Sequence, residues 1–253
     1  MDFFVKHSSV VRQIWGKSDT ILFIFAGAAA EFALNRAVDW LYFTGRLPAD
    51  PLGRLFSTVG YARLIIFTST EGAHRAIDKM RDIHSGVEAA RGSTIPDWAY
   101  RDVLFMLIYY SISAFEVLER PLQQEEKEEV FDVFYRVGHR MGLQGLPQTY
   151  SEWLPMRAAH LEQDLVKSHY TKDLFRQYKK HLGSIRYRLL LEGQKLVVPQ
   201  KVKTLLDMSG PSLLSPVLQA YKLGRKVNLD GLLKELILPP AYKKQIKALD
   251  VSK

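Results

Sequence analysis

Val103-Leu104-Phe105-Met106-Leu107-Ile108-Tyr109-Tyr110-Ser111-Ile112-Ser113-Ala114-Phe115 is apolar almost without a break. A helix apolar on every side has no solvent face, so it belongs at the centre of a protein. Ile95-Pro96-Asp97 supplies a turn and a cap before it, and Arg120-Pro121 ends it. These signals predict a helix over 98–119. The next segment, 123–138, is charged but aligns Val130, Phe131, Phe134 and Val137 on one face, the pattern of a helix packed against that centre. No strand alternation persists anywhere, and no internal repeat is visible. The fold class is therefore all-α: a single orthogonal multi-helix bundle with an internal pocket, walled by 103–115.

The flanking sequence is read the same way. Ser18 or Asp19 caps a helix running to about residue 43, which Thr44-Gly45-Arg46-Leu47-Pro48 breaks. Asp50-Pro51 pairs an N-cap with proline in the first turn, and that helix runs to about residue 67. Thr68-Ser69-Thr70 caps the next, which ends near Arg91-Gly92. After a loop over 142–148, helices are expected over 150–168 and over 171 to about 191. Val197-Val198-Pro199 interrupts the chain, and short helices separated by Gly210-Pro211, Gly224 and Pro239-Pro240 complete it. Residues 1–200 read as the main domain, with 201–253 a C-terminal helical extension packed on it.

With 253 residues and 47% hydrophobic content, the chain can bury a sizeable core. The formal net charge of +8 favours anionic partners. No nucleic-acid motif accompanies the charge, so no nucleic-acid partner is expected. Lys179, Lys180, Arg186, Arg188, Lys222, Arg225 and Lys226 concentrate in the C-terminal third. They read either as solvated helix faces or as a patch for peripheral membrane contact. The absence of cysteine excludes disulfides, iron–sulfur clusters and thiolate-ligated haem. It also fits the cytoplasm, the expected location. Lys6, Arg12 and Lys17 before the apolar run 21–30 mimic a signal peptide. Asp2 and Asp19 dilute that basic end, and the run is too short to span a bilayer, so a buried core helix is the better reading.

Three groups of residues could carry chemistry. Ala73, Ile77, Met80 and Val87 form an apolar stripe, and position 84 within it is His84. A polar ring aimed at a core needs a partner there. It is either a satisfied core histidine or a neutral imidazole ligand for iron or zinc. Arg54 and Thr58, four apart in the preceding helix, share one face and could hold an anionic cofactor. Glu31, Asn35 and Asp39 stand at i, i+4 and i+8. They either face solvent and pair with Arg36 and Arg54, or one of them acts as a general base, with Asp39 favoured for its nearness to Arg54. The remaining histidines are His7, His74, His139, His160, His169 and His181, and no pair of them is read as a metal site. There is no Walker loop, dinucleotide fingerprint or G-x-S-x-G elbow.

Taken in order, Asp50-Pro51-x-x-Arg54-x-x-x-Thr58, His84-x-x-Val87, Tyr100-x-Asp102, the 142–147 loop and Tyr150-Ser151-Glu152-Trp153 resemble a known oxygenase family. That family contains the MpaB-type enzymes and the rubber oxygenases (latex-clearing proteins), and the resemblance covers roughly residues 15–190. It implies haem b as cofactor, with His84 as the proximal iron ligand and Arg54 and Thr58 at the haem pocket, between their helix and that of His84. It further implies dioxygen and a lipophilic, isoprenoid-like substrate cleaved at a carbon–carbon double bond, in a cavity shaped by Phe105, Met106 and Tyr109. Rubber oxygenases can carry a lysine between the Arg54 and Thr58 positions. This chain has Ser57 there, which implies an open or water-ligated haem. The family's frequent second histidine on the central helix is replaced by Met106-Leu107-Ile108. Two alternatives remain open: a haem-binding sensor or carrier without turnover, and a haem-free helical protein that binds lipid or a protein partner.

Overall fold

The computed structural model describes residues 2–45 and 49–225, except the side chains of Leu52, Arg54, Leu55 and several residues after 219. Among them, every regular element is a helix: α1 (Val10–Trp15), α2 (Ser18–Phe32), α3 (Val38–Phe43), α4 (Pro51–Phe67), α5 (Thr70–Arg91), α6 (Asp97–Leu118), α7 (Gln124–Met141), α8 (Tyr150–Gln163), α9 (His169–Val197), α10 (Gln200–Leu205) and α11 (Leu214–Arg225). The protein is all-α. Arg46 to Pro48, Lys226 and Pro239-Pro240 lie outside the described residues.

Local chemistry explains most boundaries. Asp50 caps α4 by accepting from the Gly53 amide at 2.8 Å, with Pro51 behind it in the first turn. Ser69 caps α5 through the Gly72 amide. Gly92 (φ 69°) and Gly142 (φ 83°) end α5 and α7 in the left-handed conformation that glycine adopts without a Cβ clash.

The centre is α6, as its composition requires. Leu104, Phe105, Met106, Ile108, Tyr110, Ile112, Ala114 and Phe115 are all buried there. Helix α2 lies along α6 more extensively than any other pair of described helices. Their close approach is at Gly27, which packs directly under the Tyr110 ring. Ile21, Ile24, Phe25 and Ala30 of the signal-like run are buried in α2, so it is a core helix. No described helix is long and apolar enough to cross a membrane. Helices α1, α7, α8 and α9 close around this pair, and Trp15, Trp153 and Phe105 fill the interior. Full burial of each such large side chain contributes about 1.5–3 kcal/mol.

Three boundaries differ from the sequence reading. The expected helix over 18–43 is two helices, because 33–37 leaves the helical path. There Asn35 Oδ1 accepts from the Ala37 amide at 2.8 Å. Backbone bonds Arg36 N–H to Asp164 O (2.9 Å) and Val166 N–H to Leu34 O (2.7 Å) clamp this turn against the segment after α8. That same clamp ends α8 at Gln163, short of the expected residue 168. Helix α9 extends beyond residue 191 to Val197 but is kinked at Gly183 (φ 73°, ψ 169°). Before the kink, Leu174 and Tyr178 form a small second cluster with Ala33 and Val38.

Candidate functional site

His84 sits four turns into α5 and is half-buried. Its Nδ1 lies 2.8 Å from the Met80 carbonyl oxygen. A carbonyl only accepts, so Nδ1 carries a proton. Metal-binding imidazoles are commonly oriented this way by the ring nitrogen that does not bind. The sequence left that partner unidentified, and it is backbone. Tyr100 of α6 packs edge-on against the imidazole, with centroids 5.3 Å apart. The Tyr100 hydroxyl donates to Glu88 Oε1 at 3.2 Å, and the Ile95 amide donates to the same oxygen at 2.8 Å. Burial, with the Glu88 charge adding to it, holds the Tyr100 hydroxyl well above the ordinary phenol range.

Helix α4 packs alongside α5, so the helix of Thr58 neighbours that of His84. Thr58 is half-buried and Ser57 is exposed. The Arg54 side chain lies outside the described residues. Asp39, on α3, pairs with Arg91 at 2.7 Å, and the Arg91 guanidinium lies over Trp40, 4.0 Å from the ring centroid. Asp39 is thus tied to the end of the His84 helix. Phe105 and Met106 are buried in the core, and Tyr109 lies under the Arg157 guanidinium.

The helical break separates Glu31, Asn35 and Asp39, which do not share one face. Their described partners are not Arg36 and Arg54. Glu31, at 1% exposure, receives both terminal nitrogens of Arg157, itself 4% exposed. It also accepts the Tyr110 hydroxyl at 2.8 Å. This bidentate, charge-assisted arrangement satisfies a carboxylate that would otherwise be costly to bury. Burial alone would lower the Arg157 pKa, but the Glu31 charge and hydrogen bonds outweigh it and raise the net value. Burial also drives the Tyr110 hydroxyl far up, with Glu31 adding to the effect.

One helical turn along α8 from Arg157 is His160. Its Nδ1 contacts Asp102 Oδ1 and lies 3.6 Å from Asp164 Oδ2. The other Asp102 oxygen accepts from Asn35 Nδ2 at 2.6 Å. Phe105 packs against the imidazole, with centroids 5.2 Å apart. Burial and then the Asp102 charge raise the Asp164 pKa, against the opposing pull of His160, Arg36 and Arg101. Among the described residues, four carboxylic acids are buried (Asp19, Glu31, Asp102 and Glu192), against the single guanidinium of Arg157.

The family model described as "ER-bound oxygenase mpaB/B'/Rubber oxygenase, catalytic domain" matches residues 13–222. The chain belongs to this family. No curated protein and no solved structure matches it. Membership in this oxygenase family agrees with the resemblance read from the motifs between Asp50 and Trp153.

The His160 group is what the motif reading of this family member missed. His160 and Asp164 stand four apart in the sequence, but so do His74 and Asp78, and His169 and Asp173. In the fold, Asp78 pairs with Arg140 and Asp173 accepts from Tyr42. Among the described residues, only at His160 and Asp164 does packing add a third potential ligand, Asp102 from α6. The spacing was therefore a usable signal but not a discriminating one.

Proposed function

We propose that this chain is a haem b-dependent oxygenase that cleaves a carbon–carbon double bond in a lipophilic, isoprenoid-like substrate. The observation that carries the reading is the Nδ1–H to carbonyl bond of His84. With Nδ1 donating to the backbone, Nε2 is the ring nitrogen that haem iron would take from this side chain. Family membership supports the same choice.

When bound, haem supplies the redox chemistry needed to engage dioxygen. The overall conversion is balanced without an external reductant: one alkene and one O₂ give two carbonyl products. His84 holds the cofactor from the α5 side. Arg54 and Thr58, four apart on α4, would supply a positive charge and a hydroxyl donor to such an anionic cofactor. Of the three apolar residues expected at the substrate cavity, Phe105 and Met106 are packed into the core, which leaves Tyr109 as the one that would offer surface to a hydrocarbon chain. Asp39, the proposed proton acceptor, is kept at the end of α5 by Arg91. The exposed Lys179, Lys180 and Arg188 of α9 would bring such a protein to an anionic membrane where lipophilic substrates partition.

The test is an absorption spectrum of the purified protein with a pyridine haemochrome assay, followed by oxygen uptake with alkene lipids. A Soret band, about one haem b per chain and lipid-dependent oxygen uptake are expected. Haem without uptake would point instead to a sensor or carrier. Colourless protein after haemin reconstitution would overturn the haem assignment and favour a haem-free binding protein.

A further inference from the structure

We propose that Asp102, His160 and Asp164 form a binding site for one first-row divalent cation, apart from His84 and independent of the haem reading. One ligand atom from each of the three lies within 4.8 Å of the others. Ligands at about 2.0–2.2 Å from a common ion sit no more than ~4.4 Å apart. In a tetrahedral site the separation falls to ~3.4 Å, which the 3.6 Å between His160 Nδ1 and Asp164 Oδ2 nearly matches. The His160–Asp102 contact has to open and the widest separation to close, by roughly an ångström or a little more, through side-chain rotation.

The three groups come from rigid parts of the fold. Asp102 is on the central helix α6, and His160 is in the last turn of α8. Asp164 caps α8, where its carbonyl accepts the Arg36 amide and the neighbouring Val166 amide donates to Leu34. The clamp that ends α8 thus also fixes Asp164 beside Asn35. Asn35 in turn donates to the Asp102 oxygen that does not contact His160. A neighbour holding the outer oxygen of a carboxylate in this way orients its inner oxygen for a ligand.

Charge favours a cation here. Two carboxylates face one imidazole, and the buried guanidinium of Arg157, which also feels the Asp102 charge, is hydrogen-bonded to Glu31. Arg36 and Arg101 act on Asp164 at a distance, but among the described residues neither forms an ion pair with it. One nitrogen and two oxygens suit Zn²⁺, Co²⁺ or Mn²⁺ rather than ions that prefer sulfur. The cation inserts between His160 Nδ1 and Asp102 Oδ1, which swing apart to admit it, and the proton that joined them leaves to solvent. The partial exposure of Asp164 gives the ion an entry path.

The experiment is titration of chelator-treated full-length protein with Zn²⁺ by calorimetry and with Co²⁺ by visible absorption. Wild type, His84→Ala, Asp164→Asn and His160→Gln are compared. Saturable binding of about one ion per chain is expected, with ligand-field bands for Co²⁺. It should persist in His84→Ala and weaken roughly 10–100-fold in Asp164→Asn. Asp164 is at the mouth of the site, so this variant keeps the folded circular dichroism spectrum even if His160→Gln does not. No saturable binding by wild type overturns the proposal. So does binding unchanged in Asp164→Asn, or binding lost in His84→Ala.

Discussion

Arg157 and Glu31, 126 residues apart in sequence, meet in a two-pronged ion pair almost wholly excluded from water. Removing one partner leaves an uncompensated buried charge, which costs about 3–5 kcal/mol. Arg157→Ala is therefore expected to lower the urea unfolding midpoint strongly. Replacing both partners, as Glu31→Leu with Arg157→Met, should recover much of that loss but not all of it, because the Tyr110 hydroxyl loses its acceptor. A double variant no better than Arg157→Ala would show that the pair contributes more than charge compensation.

Gly27 is a second lever on the same network. A methyl group there collides with the Tyr110 ring, and the ring cannot slide away without releasing Glu31. Alanine would gain up to about 1 kcal/mol in helix propensity, while overpacking costs about 1–3 kcal/mol. Overpacking should prevail. Gly27→Ala is expected to lower the melting temperature, and Gly27→Ala with Tyr110→Phe should recover part of it.

His84→Ala is expected to abolish haem retention in the pyridine haemochrome assay. The side chain is half-buried and its ring bonds locally to Met80, so the variant should keep its helical circular dichroism. Added imidazole should restore part of the Soret absorbance by filling the space that the ring vacates. Full haem content in the variant would move the ligand elsewhere.

The acid limb of stability has a local contributor at the start of α7. The Arg120 guanidinium hydrogen-bonds Glu126 and holds its carboxyl at about 2, against an ordinary value of 4.5, with the Gln123 amide assisting and burial opposing. A depressed carboxyl contributes stability that is present above the unfolded value and lost as pH falls through the folded one. Glu126→Gln keeps an acceptor for the Gln123 amide and removes the charge. The two proteins should differ most in melting temperature near neutral pH and converge as pH approaches about 2. A constant difference across the range would exclude the ionic contribution.

How far the sequence could be read follows from how local each determinant is. The all-apolar stretch of α6, the Asp50-Pro51 start of α4 and the glycines after α5 and α7 act within a turn or two, and they were legible. The break at 33–37 was not. Ala33-Leu34-Asn35-Arg36-Ala37-Val38 contains no glycine or proline, and what halts the helix is a backbone clamp from residues 164–166. The Glu31–Arg157 pair and the joining of Asp102 to His160 likewise depend on contacts between α2, α6 and α8. His84 could be singled out because a histidine breaks an apolar stripe, but its Met80 bond depends on ring orientation, which no pattern encodes.

Among the described residues, four carboxylic acids are interred with only one guanidinium, so more acidic than basic groups are hidden from water. Solvent therefore meets a more cationic shell than the composition of the chain implies. The formal net charge of +8 acts in the same direction at long range. Encounters with anionic surfaces or ligands should accordingly be fast in dilute buffer and slow steeply as ionic strength rises.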